Sequence, residues 1–167
     1  MDLHEAVRTI IRRAGGDPDD PNLRDTPRRY LAALAEMTSG RNADIQDILS
    51  AQFPCDGCDI VEATGIMFAS LCPHHLLPYS GTVAIRYRPA GRVVGLSKLA
   101  RPVDALARRL ILQERLAADI ADAIMGHLGP HGVEVVALAR HGCVECRGVR
   151  QGGMRVTARA TRGCVDG

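Results

Sequence analysis

Residues 72–78 read CPHHLLP, and residues 141–147 read HGCVECR. Cys72, His75 and Cys143 carry sulfur and imidazole donors of the kind that grip a divalent ion such as zinc. Three protein ligands leave one coordination position for water, the arrangement of a catalytic site, whereas four close it. His74 and His141 would then remain as unligated acid or base groups, a task that suits an imidazole titrating near neutrality. Two other readings compete at this point. Cys55-x-x-Cys58 and Cys143-x-x-Cys146 together offer four thiolates, but they lie about half the chain apart, against the roughly 15–20 residues usual between such pairs. Alternatively, the thiols are simply buried, the histidines lie on the surface, and nothing is bound.

The catalytic reading requires the two stretches to meet, so the elements that carry them matter. GTVAIRYRP (81–89) alternates Val83, Ile85 and Tyr87 with Ala84, Arg86 and Arg88, the period of a half-buried strand bracketed by Gly81 and Pro89. VEVVALAR (133–140) and MRVTARAT (154–161) predict two more strands. Cys72 and His75 precede the first of these strands, while His141 and Cys143 end the second. Antiparallel pairing would bring those ends together.

Residues 97–109 and 113–128 return to a helical pattern, with Leu116, Ile120, Ile124 and Leu128 as a buried stripe and Gly129-Pro130 as a stop. At the front, residues 2–14 place Leu3, Val7, Ile10 and Ile11 on one helical face. RDTPRRYLAALAEM predicts a second helix capped by Asp25 or Thr26, with Pro27 in its first turn. Between 40 and 60 the pattern loosens into a mobile or exposed connection around CDGC. The order implies an α+β fold, an antiparallel sheet with a pair of helices packed on one face, preceded by N-terminal helices.

At 167 residues the chain suits one compact domain. Aromatics at 3% leave too few rings for the stacking platforms that hold single-stranded nucleic acid. A net charge of +2 is too small for a general polyanion binder, so any phosphate recognition must come from a local cluster. Lys98 is the sole lysine, which draws attention to its neighbours. No leader and no apolar run of about 18 residues is visible, so a cytoplasmic protein without a membrane partner is expected. In that reducing setting the six cysteines are expected as thiols or metal ligands rather than disulfides.

IMFASLCPHHLLPYSGTVAIRYRP, VVGLSKLARPVDALARRLILQERL and HGCVECRGVR resemble successive signatures of the GTP cyclohydrolase I family, and DTPRR resembles its amino-terminal motif. The resemblance implies the tunnelling fold, with residues 1–60 as N-terminal helices and connecting loop and 61–167 as the catalytic region. It implies release of C8 of GTP as formate and rearrangement of the ribose to 7,8-dihydroneopterin triphosphate, supplying pterin for folate or a related pathway. Cys72, His75 and Cys143 would hold Zn2+. His141 would protonate the purine ring, His74 would serve later proton transfers, and Ser97 would stand near the ribose. Glu114, assisted by Gln113, would accept hydrogen bonds from guanine N1 and its exocyclic amine, a donor pair that adenine lacks. Lys98, Arg101 and Arg147, joined by Arg29, would cradle the triphosphate. The family's subunits pair edge to edge into stacked rings, which implies a homodecamer with active sites between subunits.

The chain departs from the family pattern at Pro73, where a glutamate is usual, at Ala69 and Cys146, and in having Cys55-x-x-Cys58. Two alternatives follow. The chain could be a divergent paralogue that acts on another purine nucleotide or stops at a ring-opened intermediate, or a noncatalytic zinc-binding interaction module.

Overall fold

An aspartate ahead of an amphipathic run sets the first helix: Asp2 accepts the His4 amide at 3.0 Å and opens α1 (Leu3–Arg13). The computed structural model describes residues 2–166. The chain divides into two compact units, Met1–Thr38 and Ser39–Gly167. In the first, α1 packs on α2 (Thr26–Met37), which has Pro27 buried in its opening turn. Only Val7 and Ile11 of the expected α1 stripe are buried, while Leu3 and Ile10 remain about 60% exposed. One short partner helix covers a narrower stripe than the periodicity offers. Asp25 precedes α2, but its side chain makes no capping bond and instead receives Arg29 at 3.4 Å.

The second unit begins with a 3-10 turn (Ser39–Asn42) and the single turn α3 (Ile45–Ile48). It continues through β1 (Gln52–Pro54), β2 (Val61–Leu71), β3 (Pro78–Arg88) and β4 (Arg92–Val94). The helices α4 (Ser97–Ala107) and α5 (Gln113–Leu128) follow. β5 (Gly132–His141), the single turn α6 (Gly142–Glu145) and β6 (Val156–Gly163) complete it. β1 and β4 form a small antiparallel pair, while the main sheet runs β2-β3-β5-β6 with every neighbour antiparallel.

Val83, Ile85 and Tyr87 of β3 and Val133, Val135 and Ala137 of β5 turn one face of that sheet wholly inward. Leu99 and Val103 of α4 with Leu116, Ile120 and Ile124 of α5 close over it, so the helix pair covers one face as expected. Burying an aliphatic side chain of this size contributes about 1.5–3 kcal/mol, which makes this two-layer contact the main anchor of everything built on it.

Three sequence expectations change. The stretch from 40 to 60 carries the 3-10 turn, α3 and β1 rather than a loose connection. β2 was not anticipated, because its alternation is broken by a bulge between Ala63 and Ile66 that Gly65 supports at φ +72°. β3 begins at Pro78, three residues before Gly81, since a proline is tolerated at the first position of a strand.

Candidate metal centre

Leu71 pairs with Pro78, so Cys72–Leu77 is the loop of the β2–β3 hairpin. It is closed on itself: the Cys72 amide donates to the Leu77 carbonyl at 2.9 Å, and the Leu76 amide donates to the Cys72 carbonyl at 2.8 Å. Leu76 occupies the left-handed region at φ 53° to complete the turn. Tyr79 of β3 lies opposite His141 of β5, which sets the hairpin loop beside the start of α6, where Cys143 sits.

Gly142 allows that approach. A Cβ added there would lie 2.8 Å from the Pro78 carbonyl oxygen, so the absence of a side chain lets α6 close onto the hairpin. Cys72, His75 and Cys143 are thereby brought together, with one donor atom from each lying within 4.8 Å of the others. Cys72 is buried, Cys143 half-buried and His75 exposed, so the group opens outward on its imidazole side. Burial, and then the adjacent Cys72 sulfur, push the Cys143 thiol above its ordinary pKa, against a smaller pull from Arg147. Two crowded sulfurs that resist ionisation together gain most from a shared divalent cation. The S, S, N donor set fits zinc.

The closed four-thiolate alternative does not assemble. Cys55 and Cys58 lie against each other, with Cα atoms 5.7 Å apart, and neither joins the Cys72, His75 and Cys143 group. Cys146 donates its thiol to the Gly142 carbonyl at 2.7 Å. Among the described residues no fourth His, Cys, Asp or Glu joins the group.

Beside the three donors is a cavity of about 260 Å³, also walled by His74, Tyr79, Gln113, Glu114 and His141. His141 is held on two sides. Its ring stacks on Tyr79 at 4.7 Å with an interplanar angle of 1°, and its Nε2 lies 2.7 Å from Gln113 Oε1. The Tyr79 hydroxyl donates to the Ile111 carbonyl at 2.9 Å, and burial pushes the phenol up to about 12, so it stays protonated and fixed. Burial also lowers the His141 pKa, while the Glu114 and Glu145 carboxylates oppose that shift.

Gln113 and Glu114 open α5, and their exposures differ sharply. Gln113 is 1% exposed and donates both amide hydrogens to backbone carbonyls, of Ala137 at 2.8 Å and Val156 at 2.9 Å. Glu114 is exposed and faces the cavity. His74 is exposed beside His75, their ring centroids 6.3 Å apart.

The other site candidates lie elsewhere in the chain. Ser97, Lys98 and Arg101 stand at the start of α4 and do not wall this cavity. Arg147 follows α6 closely enough to act on Cys143. Arg29 belongs to α2 in the first unit. Sequence reasoning did not single out Tyr79 or Gly142. The signal for Gly142 was its place between two chemically active residues, and for Tyr79 its place next to the cysteine and histidine loop.

Comparison with known proteins adds lineage to this geometry. A sequence profile described as GTP cyclohydrolase I matches residues 3–167. The GTP cyclohydrolase 1 of Brevibacillus brevis is 44% identical over 165 residues, covering 98% of this chain and 88% of that protein. That of Allorhizobium ampelinum is 44% identical over 154 residues, covering 91% and 77% respectively. Among solved structures, the apo form of the archaeosine synthase QueF-Like superposes with a TM-score of 0.55 at 24% identity, covering 66% of this chain and all of that one. The shared architecture is the tunnelling fold.

Proposed function

The chain belongs to the GTP cyclohydrolase I family and is on that ground an enzyme; from this premise we propose that it hydrolyses GTP at C8, releasing formate and forming 7,8-dihydroneopterin triphosphate. The observation that carries the proposal is the meeting of Cys72, His75 and Cys143 beside an anchored imidazole and an exposed carboxylate. Those three residues would hold zinc. When bound, the ion would supply Lewis acidity that makes water a nucleophile near neutral pH.

The chain's own residues then divide the remaining work. Glu114, at the exposed start of α5, would accept guanine N1–H and the exocyclic amine, and the cavity admits a base against it. His141, buried enough to favour its neutral form, would take and return a proton at the purine ring as the C8 bond order falls. His74, exposed on the hairpin loop, would serve the later proton transfers of ring opening and Amadori rearrangement. Ser97 would stand at the ribose, and Lys98, Arg101, Arg147 and Arg29 would receive the triphosphate.

Ser97, Lys98 and Arg101 do not wall the cavity of a single chain. The main sheet has two open edges, β2 and β6, and Met67 on β2 is 81% exposed. The open edges support the edge-to-edge homodecamer of this family, which would set active sites between subunits. No helix among the described residues is long and apolar enough to cross a membrane. We place the reaction in the cytoplasm, with GTP rather than a nucleic acid as the partner.

Pro73 favours a second reading. It walls the cavity where a carboxylate is usual in the family, which would suit a modified purine nucleotide or early release of a ring-opened product. Product analysis after incubation with GTP separates the cases. Formate with a compound that fluoresces as a pterin after oxidation supports the first reading, and formate without pterin supports the second. Neither product, with zinc present, rejects turnover of GTP.

A further inference from the structure

The cavity wall contains one buried polar side chain whose bonds determine what its neighbour can do. The Gln113 carboxamide sits at the first position of α5, 1% exposed, where three elements converge. Its two N–H groups donate to Ala137 of β5 and Val156 at the start of β6, at 2.8 and 2.9 Å. Turning the amide over would point its oxygen at two carbonyl oxygens, so its orientation is set by the backbone. The oxygen therefore faces His141 Nε2, at 2.7 Å. An acceptor at that distance is compatible only with a hydrogen on Nε2.

We infer that Gln113 is a positioning residue: it holds His141 as the Nε2–H tautomer, so that Nδ1 is the ring atom left to exchange a proton with the ligand. Stacking on Tyr79 fixes the ring plane, and the Gln113 oxygen fixes rotation within that plane. With both donors committed and almost no exposed surface, Gln113 has no N–H to offer a guanine. Its neighbour Glu114, exposed to the cavity, is the base contact. The first two residues of α5 thus have separate tasks, one aimed inward at the acid and one outward at the substrate. The inference rests on the reading of His141 as the group that takes and returns a proton at the purine ring in GTP hydrolysis.

The test uses full-length, zinc-loaded protein and two variants. Gln113→Leu removes the acceptor, while Gln113→Glu keeps it and, as a neutral carboxyl, retains one of the two donors to the backbone carbonyls. For Gln113→Leu, kcat should fall about 10- to 100-fold, by analogy with removal of the partner that orients a metal-bound histidine. KM for GTP should stay within about threefold of wild type and zinc content should be unchanged, because no substrate or metal contact is touched. Gln113→Glu should recover part of the lost kcat. A KM increase of about tenfold with kcat preserved would make Gln113 a substrate contact and overturn the inference. Wild-type kcat in Gln113→Leu would do the same, since the acceptor would then not matter.

A readout without turnover is the nitrogen-15 spectrum of histidine-labelled, sedimented protein, with His141 assigned by difference against His141→Ala. Wild type should show protonated Nε2 and bare Nδ1; the opposite tautomer refutes the inference even if both variants fold poorly. Absence of GTP turnover in wild type would reject the proposed function, while the spectrum still decides the tautomer.

Discussion

Gly142→Ala tests whether the close approach of α6 to the hairpin builds the metal centre. The backbone there is not in the left-handed region, so alanine is conformationally acceptable and the cost comes from contact alone. The new Cβ would stand 2.8 Å from the Pro78 carbonyl oxygen and must retreat by about 0.6 Å to reach the 3.4 Å of an ordinary contact. The atom it meets is backbone in a paired strand, which cannot rotate away. Metal–ligand distances tolerate about 0.2 Å, so a retreat that carries Cys143 with it takes one donor out of range. Overpacking of this kind costs about 1–3 kcal/mol. If it falls on the metal-bound state, zinc affinity drops about 5- to 150-fold. Competition against a chromophoric chelator measures it directly. Gly126→Ala, in the last turn of α5 with nothing within 4 Å of its added Cβ, is the control. It should leave zinc affinity unchanged and raise stability by about 0.5–1 kcal/mol. Wild-type zinc affinity in Gly142→Ala would refute the idea that this contact seats Cys143.

Further outcomes follow from the same geometry. Cys143→Ala should lose stoichiometric zinc, whereas Cys146→Ala, whose thiol only caps Gly142, should keep it, as elemental analysis of the purified proteins will show. His141→Ala should retain zinc yet lose about 10²- to 10⁴-fold in kcat, read from steady-state formate release. Glu114→Ala should weaken GTP by about 10- to 100-fold, as expected for charge-assisted bonds of about 1.5–3 kcal/mol, and narrow its preference over ATP in competition assays. Because burial raises the Cys143 thiol in the folded state, its contribution to the stability of metal-free protein is full below the ordinary thiol range. That contribution is lost as pH rises through the folded value, so Tm without metal should fall as pH rises above the ordinary thiol range and zinc should abolish the decline.

The grouping of Cys72, His75 and Cys143 was legible because its spacing and its strands agreed. Cys72 and His75 precede an alternating run, His141 and Cys143 end another, and antiparallel pairing of those runs does the rest. The helix pair was legible for a similar reason, since the stripe from Leu116 to Leu128 survives in the packed core. β2 was hidden because the Gly65 bulge shifts its register partway along and erases the period of two. The task of Gln113 was hidden because a glutamine at a helix start is ordinarily solvated, and only the convergence of β5 and β6 buries it. Ile10 misled in the other direction: a helical face is buried only as far as a partner extends.

The most direct measurement is formate release from GTP as a function of zinc restored to chelator-stripped protein. Activity should be absent without metal, rise linearly, and saturate at one zinc per chain, with a pterin appearing in equal amount. Formate production at full rate by the stripped protein, or saturation with zinc without any formate, would contradict a catalytic role for the Cys72, His75 and Cys143 centre.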